Sequence, residues 1–368
     1  MASLVEEVEP EYQSRKGYYL KDLARSFIQS LNESGASASG KLLHYTADFI
    51  CSGGLPLWQK LCWDYAFDHI GIASPRIFLY LVKRFKEIDT YNSRLPFEVF
   101  YNNEAVQKLT GEVVLILQNS PQKTRIRPPA VPQNTHENED WLVSNLKASD
   151  KEAVSKVYSR SQDQPLMYHV GNELVTAVIE GGTEKALFWM RWLLEEDVIV
   201  RKKFGAGLST CERGPATLPT KQRHASGFFI CSVLAEVYKE LAEKKHIRMH
   251  EEYQTLLDLY RSTDGTFPTK HKINALILMI QILCEVPRWK VPAAPSLVGD
   301  PLILQRASAS AVTFYKEIIA YPMPLKPMPK VVGSLTLRKV KVGDTKADKI
   351  NSQLEAMDDL LMKMYGGF

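Results

Sequence analysis

Few cysteines stand in this chain, and none is placed to do cysteine chemistry. Cys51, Cys62, Cys211, Cys231 and Cys284 are odd in number and scattered, without a CxxC pair or a histidine at ligand spacing. The sequence therefore specifies neither a zinc site nor a disulfide framework, and it fits a reducing compartment. Long apolar runs are missing too. The most apolar stretch, Ile273 to Cys284, follows Lys270, His271 and Lys272 and has about half of the ~20 residues that span a bilayer. It reads as a central helix buried on all sides. Met1 to Glu11 carries four glutamates and no apolar run, so neither a secretory signal nor a basic presequence is expected. The corresponding expectation is no membrane partner and an intracellular setting, in cytoplasm, nucleus or virion.

Catalytic signatures are also absent. There is no GxxxxGK[ST], HExxH, GxSxG or HxE…CxxC pattern. Gly205-Ala-Gly207-Leu-Ser-Thr210 has two glycines but no lysine in place and no preceding strand, and reads as a flexible loop. Glu195, Glu196 and Asp197 fall at a helix end, where a solvated face is expected. His246 and His250 are spaced i, i+4 without a third ligand, and read as a solvent-facing pair beside Lys244, Lys245 and Arg248. His69 lies on an apolar stripe, as a hydrogen-bonded core residue would. No catalytic residue, metal site or cofactor is expected, and the chain reads as a non-enzyme.

What is present is ordinary globular material, 45% apolar and 24% charged over 368 residues, enough for two domains with normal cores. The net charge of +4 is unevenly spread. Between Pro322 and Lys349 stand seven basic residues and two acids, a net +5 that leaves the remainder close to −1. Attraction to a polyanion is expected in that tail or in local loops.

Helical periodicity dominates. Leu57, Trp58, Leu61, Cys62, Tyr65, Ala66, His69 and Ile70 form one stripe, with Lys60, Asp64 and Asp68 opposite. Beyond Pro75, the residues Ile77, Phe78, Leu81, Val82, Phe85 and Ile88 repeat it. Further helices are predicted near 18–32, 38–52, 104–118, 148–160, 171–180, 183–196, 222–244, 250–261, 271–286 and 303–320, with no β-hairpin. The fold class expected is all-α: a multi-helix bundle of two helical units plus an extended C-terminal arm. The boundaries predicted are an acidic segment 1–16, an N-terminal helical unit 17–120, an exposed Pro-rich basic linker 121–140 and a C-terminal helical unit 141–321. A Pro-rich basic arm 322–349 and a short amphipathic helix 350–368 follow. Lys202 to Arg223 reads as a second irregular stretch, either a functional loop or partly disordered.

Basic clusters are the broad functional hint. They include Lys83/Arg84/Lys86, Lys123/Arg125/Arg127, Arg201/Lys202/Lys203, Lys221/Arg223/His224 and Lys244/Lys245/Arg248. Lys202, Lys203, Arg213, Lys221, Arg223, Lys339 and Lys341 are the candidate nucleic-acid contacts. In the last segment, Leu354, Met357, Leu360, Leu361, Met364 and Tyr365 recur with Ile350 at helical spacing, the form of a tethered helix that enters a partner's groove or folds back on its own body.

Ala66-Phe-Asp-His-Ile-Gly-Ile-Ala-Ser-Pro75 resembles a signature in the helical C-terminal (collar) region of clamp-loader-like AAA+ ATPases, where a helix ends in Ala-x-acid-acid-Ile-Gly-Leu-Ala-Asp-Pro. Ala66, Asp68, Ile70, Gly71, Ala73 and Pro75 match, Ile72 nearly so, and His69 and Ser74 depart. A second phrase of that family, an acidic turn before Ala-Leu-Tyr-Trp-Leu-Ala-Arg-Met-Leu, is similar to Ala186-Leu-Phe-Trp-Met-Arg-Trp-Leu-Leu194. Together they cover about thirty residues, in the reverse order to the family's. An internal duplication, with Leu20 to Ile88 and Glu173 to Leu257 as diverged copies, would reconcile the order. The ATPase core is absent, so the resemblance implies only a packing or scaffold role. The leading expectation is a non-enzymatic subunit of a DNA replication or repair complex, partnered by other protein subunits, by DNA through its basic tail, or by copies of itself. The alternative is a viral or organellar structural protein whose arm threads between subunits.

Overall fold

The computed structural model describes residues 12–263, 267, 270–299 and 301–323, with the side chains of 301–308 excepted. In chain order, α1 (Leu20–Asn32), α2 (Ala36–Cys51) and α3 (Leu55–Tyr65) lead into a π turn at Ala66–Ile70, followed by α4 (Arg76–Arg94), α5 (Phe97–Asn102) and α6 (Glu104–Asn119). Next come α7 (Glu139–Asn145), α8 (Glu152–Val157), α9 (Pro165–Glu180), α10 (Thr183–Phe204) and α11 (Thr220–Arg223). The series ends with α12 (Ser226–Glu243), α13 (His250–Arg261), α14 (Lys270–Glu285) and α15 (Pro301–Ile319). Among the described residues there are isolated bridges but no strand, so the architecture is all-α.

The chain divides into two compact units. The first gathers 12–70, 76–122 and 296–323; the second gathers 71–75 and 123–295. Helix α15 therefore belongs to the first unit and not, as 141–321 predicted, to the C-terminal one. Its stripe of Ala311, Tyr315 and Ile318 is buried, packing against α2 and α6. There the Tyr315 hydroxyl and Thr110 Oγ1 lie 2.7 Å apart. Periodicity exposes such a stripe without saying which groove it fills.

The first unit's core is aromatic: Phe27 meets Phe49 edge-on at 5.6 Å, and Trp63 meets Phe85 at 5.4 Å. Local signals set the helix ends. Asn103 caps α6 by accepting from the amides of Ala105 and Val106. A hook at 12–19 closes the unit: Asp48 accepts from Ser14 Oγ at 2.5 Å and from the Lys16 amide at 3.1 Å. Arg15 then donates to the carbonyls of Ile319 (3.0 Å) and Tyr321 (2.6 Å), a cation on the C-terminal end of α15.

In the second unit α14 is buried on nearly every side, as its apolar composition predicts. Helix α9 starts on Pro165 and stops at Gly181, whose φ of 76° is left-handed. The helix predicted at 148–160 shortens to six residues. Among the described residues no helix is long and apolar enough to cross a membrane.

Residues 123–137, expected as exposed linker, are instead a strap on the second unit. Val131 and Thr135 are buried. Lys123 pairs with Glu285 at 2.8 Å, Arg125 hydrogen-bonds Asn274, and Trp192 Nε1 donates to Thr135 Oγ1 at 3.1 Å. Its prolines hold it extended and leave side chains to fasten it. The arm beyond Met323 and the helix 350–368 lie outside the described residues. The two segments expected as duplicates hold different element orders: α1 to α4 with a π turn in one, and the end of α9 with α10 to α13 in the other.

Candidate nucleic-acid interface

Helix α10 ends in Arg201, Lys202, Lys203 and Phe204, with Gly205 capping it at φ 77°. Cations there complement the exposed carbonyls of the last turn. Arg201 is the anchor: its Nε and Nη2 each lie 3.2 Å from Asp197 Oδ2, and it donates to the carbonyls of Lys221 (3.0 Å) and His224 (3.2 Å). This ties α11 to the end of α10. Asp197 is fully buried and also accepts from the amides of Leu208 (2.8 Å) and Ser226 (3.1 Å). Glu195 and Glu196 are buried as well. The three acids expected on a solvated helix end thus face inward, because the strap and the 205–224 loop cover them.

Glu195 and Glu196 meet a cation from the strap. His136 Nδ1 lies 2.7 Å from Glu196 Oε2, and Nε2 lies 3.6 Å from Glu195 Oε2. Its ring stacks on Trp192 at 4.9 Å. Burial pushes the His136 pKa down, but hydrogen bonds and charge from the two carboxylates outweigh it and raise it to about 9.

The irregular stretch 202–223 is a folded loop. Asp163 receives Ser209 Oγ at 2.6 Å and the guanidinium of Arg213, which also donates to the Val157 carbonyl at 2.9 Å and lies over the Phe229 ring. Burial raises the Asp163 carboxyl, and its bonds to Arg213, Ser209 and the Ser159 amide more than reverse this, holding it below the ordinary range. The glycines serve the chain path. A Cβ on Gly207 would collide with Asp197 Oδ1 and stand 2.5 Å from Arg201 Nη2, so glycine lets the loop cross the Asp197–Arg201 pair.

Of the residues named from sequence, the fold leaves Lys202, Lys203 and Lys221 exposed. Arg213 is taken up by Asp163, which corrects its reading as a free phosphate contact. Arg223 pairs with Glu212 at 3.2 Å and bonds Thr220 Oγ1 at 2.9 Å. Lys339 and Lys341, with Leu354, Met357, Leu360, Leu361, Met364 and Tyr365, lie outside the described residues. Sequence reasoning missed Phe204, 69% exposed, with Lys203 Nζ 5.4 Å from its ring centre. It stands one helical turn after Val200, so the sequence carried no signal of its exposure.

Elsewhere, Arg84 is engaged by Glu87 and Glu112. His246 lies in a turn ahead of α13, so it and His250 share no helical face. Among the described residues no group of three histidines, cysteines or carboxylates is placed to hold a metal ion. His69 is half-buried and stacks on Tyr65 at 4.7 Å. Compared with family models, curated proteins and solved structures, the chain matches none.

Proposed function

We propose that this chain is a non-enzymatic helical subunit of a nucleic-acid-handling assembly of the replication or repair kind. It holds the polyanion where α10 meets α11. One observation carries the reading: three exposed lysines and an exposed phenyl ring gather where Arg201 joins those helices. The lysines' preference for a helix C-terminus accounts for their charge, at about 0.3–1 kcal/mol each. It does not account for Phe204 at their end, since burying such a ring is worth about 1.5–3 kcal/mol. Lysines that track phosphates beside an aromatic that stacks on bases are the two halves of a nucleic-acid contact. The resemblance to clamp-loader collars supports the other half of the proposal, that the helical body packs against protein subunits.

The test is fluorescence anisotropy with labelled single-stranded and duplex oligonucleotides across a sodium chloride series. Micromolar or tighter binding that falls steeply with salt is expected. A K202E/K203E/K221E variant should lose at least tenfold affinity, and the log–log salt slope should drop by about 2 for single strands, at ~0.7 per lost contact. Equal affinity and slope for wild type and variant would sink the proposal.

A further inference from the structure

In the same unit, the segment from Asp150 to His169 frames a groove of about 480 Å³. Its lining includes Asp150, Ser155, Tyr158, Arg160, Tyr168 and His169. The turn at 158–163 is held rigidly on the side away from solvent. Ser159 N donates to Asp163 Oδ2 at 2.7 Å, Asp163 is locked to Arg213, and Thr210 N donates to the Gln162 carbonyl at 2.8 Å. The groove and the loop that follows α10 therefore share one anchored piece of backbone.

The groove's charged lining is unengaged. The buried acids of this unit, Asp163, Asp197, Glu173 and Glu195, are all engaged by donors. Arg160, Asp150 and His169, by contrast, have no hydrogen-bond or ion-pair partner among the described residues. Two half-exposed tyrosine rings stand between them, with centres 5.0 Å apart and planes tilted by 52°. Hydroxyl contacts fix both: Tyr168 to Ser155 Oγ at 3.2 Å, and Tyr158 to the Asp163 carbonyl at 3.4 Å. His169 meets Tyr168 edge-on at 5.8 Å. The rings are thus set before any ligand arrives, and little side-chain entropy is lost on binding. The volume lies within the range of small-ligand sites, ~300–1,000 Å³.

We infer that this groove binds one unpaired nucleotide: its base against Tyr158 and Tyr168, its phosphate on Arg160 and His169, and a base amine or sugar hydroxyl on Asp150. A duplex cannot offer a base face without paying for unstacking, so the groove selects single strands over duplex. The inference rests on the proposed nucleic-acid function for its strand form, while a free nucleotide has the same chemistry.

The experiment uses the full chain with three probes: a 2-aminopurine single strand, the matched duplex, and free AMP and UMP followed by the His169 ring proton signals. Wild type should bind the single strand more tightly than the duplex and quench 2-aminopurine. Y168A should weaken single-strand binding about tenfold or more and spare the duplex; R160E should weaken the strand and both mononucleotides. Y168F keeps the ring but loses its hydroxyl contact to Ser155, and should weaken strand binding far less than Y168A; unchanged duplex binding and an unchanged melting temperature in Y168A separate lost stacking from loss of fold. Mononucleotide binding that depends on Tyr168 without strand binding would support the groove as a free-nucleotide site while the α10–α11 reading fails. Strand binding lost in K202E/K203E/K221E but untouched by Y168A and R160E, with no mononucleotide shift at His169, would overturn the groove and leave that reading standing.

Discussion

At the scale of single residues, the charges that sequence makes conspicuous are mostly consumed inside the fold. His136 is the sharpest case, a histidine whose side chain is 4% exposed between two carboxylates. Its pKa is raised to about 9 in the folded state, against ~6.5 unfolded. The stability it contributes is therefore complete below about pH 6.5 and lost as pH climbs through 9, on the order of 3 kcal/mol in all. Urea denaturation at pH 6, 8 and 10 should show that decline, and H136Q should be less stable at pH 6 and nearly flat across the same range. Arg213 makes the complementary prediction. R213A leaves the fully buried Asp163 carboxylate without its cation, at a cost of about 3–5 kcal/mol. R213A/D163N should recover part of that loss, and full stability in R213A alone would contradict the buried pair.

At the scale of elements, the 205–224 loop is as well determined as the helices it joins. Its hydrogen bonds run to Asp197 and Asp163, and its crossing point is Gly207. G207A places a methyl against Asp197 Oδ1 and Arg201, so a melting-temperature drop corresponding to about 2 kcal/mol is expected. K202A on the exposed face should change stability by less than ~0.5 kcal/mol. The π turn at 66–70 is another element set by neighbours. It is where the apolar stripe of α3 runs on to Ile70, and Tyr65 there donates to the Leu31 carbonyl at 2.9 Å. The extra residue in such a turn shifts the stripe's register, which a strict 3.6-residue pattern does not foresee.

At the scale of the whole molecule, the chain returns to its first unit after completing the second. Y315A removes a fully buried ring and the partner of Thr110, worth about 3–5 kcal/mol. Hydrogen exchange should accelerate in α2 and α6 and remain unchanged in α13 and α14. The reverse pattern would contradict the assignment of α15. What the sequence determined on its own is the all-α class and most helix positions, because burial on one face writes a 3.6-residue period into α1, α4 and α13 that needs no knowledge of partners. Helix ends are local features as well, such as the Asn103 cap of α6 and the left-handed Gly181 that ends α9. The tertiary structure alone decided that α15 joins the first unit, that 123–137 is a strap, and that Glu195, Glu196, Asp197 and Arg213 face inward while Lys202, Lys203, Phe204 and Lys221 stay out. Each of those outcomes depends on contacts between residues tens to hundreds of positions apart, such as His136 with Glu196 or Thr110 with Tyr315. Such pairs carry no periodic trace along the chain, since what selects them is the shape and charge of a surface that exists only once the helices have packed.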